Sequence, residues 1–232
     1  MSDHSLRHRV ERTRNKHSRA VFRDNTIVIR LARGLSKTEE REHVDDLLER
    51  MTRQVIEERT KHIIDPFRPL LSGGQSVSIT LAAGRRYTFA LFPGTRNSVR
   101  RMRGGFRVTI APHVRRRSLH RALWNILARE ELPRVERAVR EINERTYGIR
   151  ISRVRLAFAS SQWGSCSPRG GVMLNAALLF TPPGVLKYVT VHELAHRKIP
   201  NHSPLYWEWV RWAMPRYKVA KKILDEYRLP SL

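Results

Sequence analysis

The feature that most constrains this chain is the pentapeptide His192-Glu193-Leu194-Ala195-His196, framed by the apolar residues Val185, Tyr188 and Val189. On an α-helix, residues four apart share a face, so His192 and His196 can offer imidazole nitrogens to one metal ion. Glu193 falls on the adjoining side, where it can take a proton from a metal-activated water without ligating. Pro182-Pro183 introduces this helix and Ile199-Pro200-Asn201 breaks it. A chain that turns there can return His202 to the metal at the interval of the longer H-E-x-x-H-x-x-G-x-x-H pattern, with Ile199 standing in place of its glycine. Three protein ligands leave the open position that a catalytic zinc requires. The expectation is one Zn2+ per chain held by His192, His196 and His202, with Glu193 as catalytic acid/base. Taken singly, each histidine reads as an ordinary helix or surface residue. The joint spacing favours the metal.

Charge sets the second constraint. Lys and Arg number 45 against 21 Asp and Glu, a formal net charge of +24, and such an excess in one folded chain calls for an acidic partner or surface. Nucleic acid, nucleotide, anionic lipid and acidic protein all satisfy it. Hydrophobic residues at 41% are enough to close a core. The lone cysteine, Cys166, forbids an intrachain disulfide and suits a reducing compartment. No apolar run is long enough to span a bilayer, and Met1 to Arg19 lacks the apolar core of a secretory signal. The expectation is a cytoplasmic chain.

The coarse order of elements predicts an α+β fold. Residues 1–19, rich in arginine, read as a basic flexible arm. Residues 20–117 read as an N-terminal antiparallel β-rich part, with a strand over Thr26 to Leu31. A capping box at Ser36 and Glu39 opens a charged helix to about Lys61, and short strands run between Gln75 and Pro112. Arg115-Arg116-Arg117 follow as candidate anion or nucleic-acid contacts. Residues 118–232 then begin with a long connecting helix capped by Ser118 and reaching about Tyr147, with a kink or break expected at Pro133. Strands at Val154 to Phe158 and Gly171 to Asn175 flank a loop from Gln162 to Ser167. The second strand is expected at a sheet edge where an extended peptide could add, bordered by Trp163 and Asn175. Tyr206, Tyr188 and Arg169 are candidate oxyanion helpers, Tyr206 being also a candidate substrate contact. Trp207, Trp209 and Trp212 read as core, as do Met214 and a buried, inert Cys166.

These residues resemble the YgjP-like metallopeptidases, relatives of the SprT and WLM zinc peptidases. The marks are Trp163-Gly164-Ser165-Cys166-Ser167, Leu174-Asn175, Tyr188-Val189 leading into His192 to His196, then Asn201-His202-Ser203 and Trp207. The resemblance is strong over roughly the last third and elsewhere extends only to layout. It implies a zincin-like peptidase part, His192, His196 and His202 as ligands, and Glu193 as acid/base. The chain departs from the family at Gln162, where an arginine commonly stands, and at Ile199.

Three function classes stay open on this reading. A metallopeptidase would take peptide or protein substrates. A zinc-dependent nucleoside triphosphate pyrophosphatase would use the same chemistry on a nucleotide, an activity ascribed to members of the resembled family. A nucleic-acid-associated protein or protease would use the basic surface. Oligomeric state is not legible.

Overall fold

The computed structural model describes residues 6–230 and divides the chain into two compact units that meet in sequence at Lys61 and His62. That division lies well before the boundary at residue 117 expected from the order of elements.

The first unit is a three-stranded sheet under one helix. Strands β1 (Arg7–Arg12), β2 (Arg19–Arg23) and β3 (Thr26–Leu31) take the order β1-β3-β2, with β1 parallel and β2 antiparallel to β3. Asp24 and Asn25 make the β2–β3 turn with positive φ at both residues, a conformation that Asp and Asn tolerate and that two-residue hairpins need. The alternation of β3 sends Ile27, Ile29 and Leu31 to one face, where Val44, Leu47, Leu48 and Met51 of α1 (Lys37–Thr60) cover them. Ser36 and Glu39 close the expected capping box reciprocally. The expected arm is replaced, from Arg7 to Arg12, by an edge strand. Its backbone pairs with β3 while its side chains stay exposed, so no apolar residue was needed to announce it. Arg12 pairs with Glu40, and Glu11 bridges Arg9 and Arg30. Residues 1–5 of the expected arm lie outside the described residues.

The second unit holds the remaining elements around one core. Strand β4 (His62–Ile63) pairs with β12 (Tyr227–Arg228) and ties the start of the unit to its end. After the short α2 (Arg68–Leu71) come β5 (Ser76–Thr80), β6 (Arg86–Pro93), β7 (Ser98–Met102) and β8 (Gly105–Ile110). They form a sheet of order β5-β6-β8-β7, in which β6 and β8 run parallel. This sheet and that of the first unit are therefore mixed, not antiparallel throughout. Helix α3 (Arg116–Glu144) packs beneath it, with Trp124 fully buried between Phe67 (ring centroids 5.3 Å apart) and Phe158 (4.9 Å, stacked).

At α3 the cap differs from the expectation, and no break occurs. Its N-cap is Arg115 with no side-chain cap, so Ser118 lies inside the first turn. One helix also runs through Pro133 without a break. Proline in a helix interior costs about 3 kcal/mol. Leu123 and Leu127 before it and Val135 and Val139 after it are buried in one core, which offsets that cost.

A third sheet, β10 (Gly164–Cys166), β11 (Gly171–Asn175) and β9 (Arg153–Ala157), follows in the order β10-β11-β9. Strand β11 is thus central, antiparallel to β10 and parallel to β9. The sheet edge expected at Gly171 to Asn175 is instead formed by β10, inside the segment read as a loop. A 3-10 turn at Ala176–Phe180 leads to α4 (Pro183–Ala195), α5 (Pro204–Ala213) and α6 (Tyr217–Asp225). No described helix is long and apolar enough to cross a membrane.

Candidate metal centre

Helix α4 starts at Pro183, whose missing N–H costs nothing in the first turn. Val185, Val189, Val191, Leu194 and Ala195 are buried, which fixes the helix's rotation and turns His192 and His196 to its remaining face. The helix ends at Ala195. Backbone bonds from Lys198 and Ile199 to the Ala195 carbonyl tighten the exit turn. Asn201 Oδ1 accepts from the Ser203 N–H, and Ser203 caps α5 ahead of Pro204. This turn carries His202 back over α4. Its Nε2 comes within 3.2 Å of His192 Nε2, and ligand atoms of His192, His196 and His202 all lie within 4.8 Å of one another. Three imidazole nitrogens around one tetrahedral zinc at about 2.05 Å would stand about 3.4 Å apart, so the cluster has the right size.

The surroundings prepare the rings for a cation. Burial, then the neighbouring His196 and His202, pushes the His192 pKa down to about 4. Burial also lowers His196. Both rings are thus neutral at pH 7 with lone pairs available, the state a metal ligand requires. The Nδ1 atoms of both are buried with no hydrogen-bond partner. His202 is exposed, so the cluster opens to solvent on one side. The donor set and its geometry fit a zinc-type ion.

Aromatic residues hold the histidines from below. Tyr206 is fully buried, its ring stacked on His196 with centroids 4.7 Å apart, and its hydroxyl donates to the His192 carbonyl at 3.0 Å. Trp207 stacks on His202 at 5.8 Å and on Tyr217 at 5.5 Å. Tyr206 therefore braces the ligands, and burial keeps its hydroxyl protonated. Tyr188, raised to about 12 by burial, packs edge-on against His192. Arg169 is exposed on the turn between β10 and β11. Of the three tryptophans read as core, Trp207 and Trp209 pack against it, whereas Trp212 is 61% exposed. Met214 also packs against the core.

Glu193 lies on the neighbouring face of α4, buried, and burial lifts its pKa to about 7. A divalent cation alongside would favour its ionised form. The space for its carboxyl is made by Gly164. A Cβ there would lie 2.7 Å from Glu193 Oε1 and 2.8 Å from Cγ, closer than real side chains approach. Gly164 is quoted in the sequence motif above without a role, and here it lies against the carboxyl. Its signal was a glycine inside what proved to be a strand, which marks close approach of another group.

The other sequence-predicted residues have structural partners. Asn175 is fully buried, and its amide is consumed: Nδ2 donates to the carbonyls of Ala159 and Gln162, and Oδ1 accepts from the Ala177 N–H. It fixes the loop leading to Trp163, whose carbonyl accepts from the Asn175 N–H. Trp163 itself is half-buried against the core. Cys166 is half-buried, and burial, then Glu193, raises its thiol pKa, so it stays protonated. Arg115, Arg116 and Arg117 are exposed at the N-terminus of α3, in a different part of the unit's sequence from the histidine cluster.

The family model described as YgjP-like, metallopeptidase domain, matches residues 15–227. No curated protein matches the chain. Among solved structures, the crystal structure of the metallopeptidase zymogen of Pyrococcus abyssi abylysin aligns at a TM-score of 0.36 and 24% identity. It covers 41% of this chain and 99% of that one. A match over residues 15–227 takes in nearly every element described above, from β2 to the histidine cluster and the helices behind it; the chain belongs to the YgjP-like metallopeptidase family.

Proposed function

We propose that the chain is a zinc-dependent peptidase whose ion is held by His192, His196 and His202, with Glu193 as its acid/base. The observation that carries this is the convergence of three imidazoles within 4.8 Å, open to solvent at His202, beside one buried carboxyl. A bound zinc ion supplies Lewis acidity, lowering the pKa of a coordinated water and polarising the scissile carbonyl. Glu193 accepts the proton released by the attacking water and returns it to the leaving amine. Its burial keeps competing solvent away and its basicity near neutrality. Tyr206 and Trp207 hold the rings in register.

The peptide reading is favoured over phosphoanhydride hydrolysis by β10. It is an edge strand of its sheet and Gly164 lies against the Glu193 carboxyl, so an extended peptide adding to β10 by main-chain hydrogen bonds would run close to that carboxyl. The test couples metal content with turnover of an unfolded protein substrate and of a nucleoside triphosphate. Wild type should hold about one zinc per chain and cleave the protein. His196→Ala should lose the zinc, and Glu193→Gln should keep it with turnover reduced at least about 100-fold. Undiminished turnover in Glu193→Gln would remove the acid/base role, and pyrophosphate release without proteolysis would reassign the substrate.

A further inference from the structure

Between Asp65 and Glu130 the chain contains thirteen arginines and no lysine, aspartate or glutamate. This stretch builds the sheet β5-β6-β8-β7, and the register divides its residues cleanly between two faces. Tyr87, Phe89, Phe106 and Val108 point inward to the core. The opposite face is a row of small and hydroxyl residues on β5 and β6, with Ser78 Oγ 2.9 Å from Thr88 Oγ1, running into arginines on β8 and β7. Ala90, Arg107 and Arg100 are successive cross-strand partners on this face.

Two arginines directly opposite each other repel and destabilise a sheet. Here no carboxylate of a described residue lies within ion-pair distance of Arg100 or Arg107. Arg101, one position along and facing inward, shows the contrast: it pairs with Glu130 at 2.9 Å and lies over the Phe106 ring. The outward pair is left with its charge uncompensated. Arg107 stacks its guanidinium over Phe92 at 4.0 Å, and Phe92 and Met102 are 37% and 49% exposed. Thr88, Ala90, Phe92, Met102, Gly105 and Arg107 line a shallow slot of about 200 Å³ on this face.

We infer that the outer face of the sheet β5-β6-β8-β7 is a binding platform for single-stranded nucleic acid, with phosphates on Arg100 and Arg107 and a base stacked at Arg107 and Phe92. Guanidinium forks match phosphate oxygens two at a time, and their planes stack on bases. A strand face with small residues lets unpaired bases lie flat beside an aromatic ring, which a duplex cannot offer. An anionic lipid surface would satisfy the charge but has no use for a slot bordered by a guanidinium-capped ring. The platform goes beyond the peptidase reading, and its back face rests on α3, so nucleic acid held there need not occupy the metal centre.

The test is fluorescence anisotropy of the full chain with a labelled single-stranded oligonucleotide, its duplex, and vesicles of anionic lipid. The single strand should bind best, and its affinity should fall with salt. Arg100→Ser with Arg107→Ser should weaken binding at least about 10-fold and lower the salt slope by about 1.4, two phosphates at about 0.7 each. Phe92→Ala should weaken it at least about 5-fold with the slope unchanged. Lys218→Ser with Lys222→Ser removes the same charge from α6 and should leave affinity within about twofold. The arginine double variant should melt no lower than wild type, since it removes a repulsion, and should keep its zinc. Equal losses from the arginine and lysine pairs would overturn the site, as would duplex preference, or vesicle binding without oligonucleotide binding. Zinc content and proteolysis are read separately, so failure here leaves the peptidase reading standing and the reverse.

Discussion

At Gly164 strand β10 passes so close to α4 that any Cβ would fall 2.7 Å from the Glu193 carboxyl oxygen. Gly164→Ala should therefore displace Glu193 while leaving the three imidazoles in place. The expected result is turnover reduced about 100-fold, the cost of misplacing a reacting group by about 1 Å, with zinc content unchanged. Loss of zinc in this variant would show that β10 supports the ligands rather than the carboxyl. Glu193 also has a stability signature in the metal-free protein. Its folded pKa of about 7 lies above the ordinary carboxyl value of about 4.3, so its burial costs nothing at low pH, destabilises progressively as pH rises from about 4.3 to 7, and reaches its full cost above 7. His192 works the other way, since a folded pKa of about 4 destabilises as pH falls below about 6.5. Their pH slopes run in opposite directions between about pH 4.3 and 6.5, so the stability of the chelated wild type changes little with pH there. Chelated Glu193→Gln loses only the first and should be about 1–3 kcal/mol more stable than chelated wild type at pH 7.5, with the gain gone near pH 4.5. Urea unfolding at the two pH values reads this, and an equal gain at both would assign it to packing instead.

At the scale of elements, α3 and β6 are joined by a buried carboxylate. Glu131 is fully buried, and Arg85, Tyr87 and Arg134 surround it, with Arg85 Nε at 3.0 Å and Arg134 at 3.7 Å. Glu131→Ala would leave Arg85 and the Tyr87 hydroxyl without their acceptor and should cost about 3–5 kcal/mol in urea unfolding with zinc content unchanged. A cost below about 1 kcal/mol would mean that solvent already reaches the cluster. Nothing local in the sequence announced this pairing, because its partners stand on separate elements with β7 and β8 between them. The same limit explains which elements were legible. Helix α4 and its ligands declare themselves through a four-residue interval, flanking prolines and a continuous apolar frame. Helix α1 does so through its capping box. Strand β1 exposes nearly every side chain, so periodicity had nothing to detect. Strand β10 is three half-buried residues, and whether it or β11 takes the edge is decided by pairing, which alternation within a strand does not encode. No break follows at Pro133, because its local penalty is outweighed by burial on both sides.

Over the whole molecule, the aromatic residues are divided unevenly between the two units. All 5 tryptophans and all 6 tyrosines fall after Lys61, so intrinsic fluorescence reports the unit that carries the histidine cluster and is blind to α1 and its sheet. Trp207 stacks directly on His202, which makes the same signal sensitive to the metal centre. A metal that binds the folded unit and not the unfolded chain stabilises it by about 2.7 kcal/mol at a hundredfold excess over Kd. For a unit of this size that is a rise of about 5–10 °C in the fluorescence-detected Tm. His196→Ala, with one ligand gone from α4, should melt at the same temperature with or without zinc. A wild-type Tm indifferent to zinc would mean that the three rings, though converged, hold no ion tightly, and the peptidase reading would lose the observation that carries it. A zinc-dependent rise that survives in His196→Ala would place the ion elsewhere in the unit. Only a rise confined to the intact cluster ties the fold of α4, the turn at Ile199 to Asn201 and the stacked aromatics behind them to one purpose.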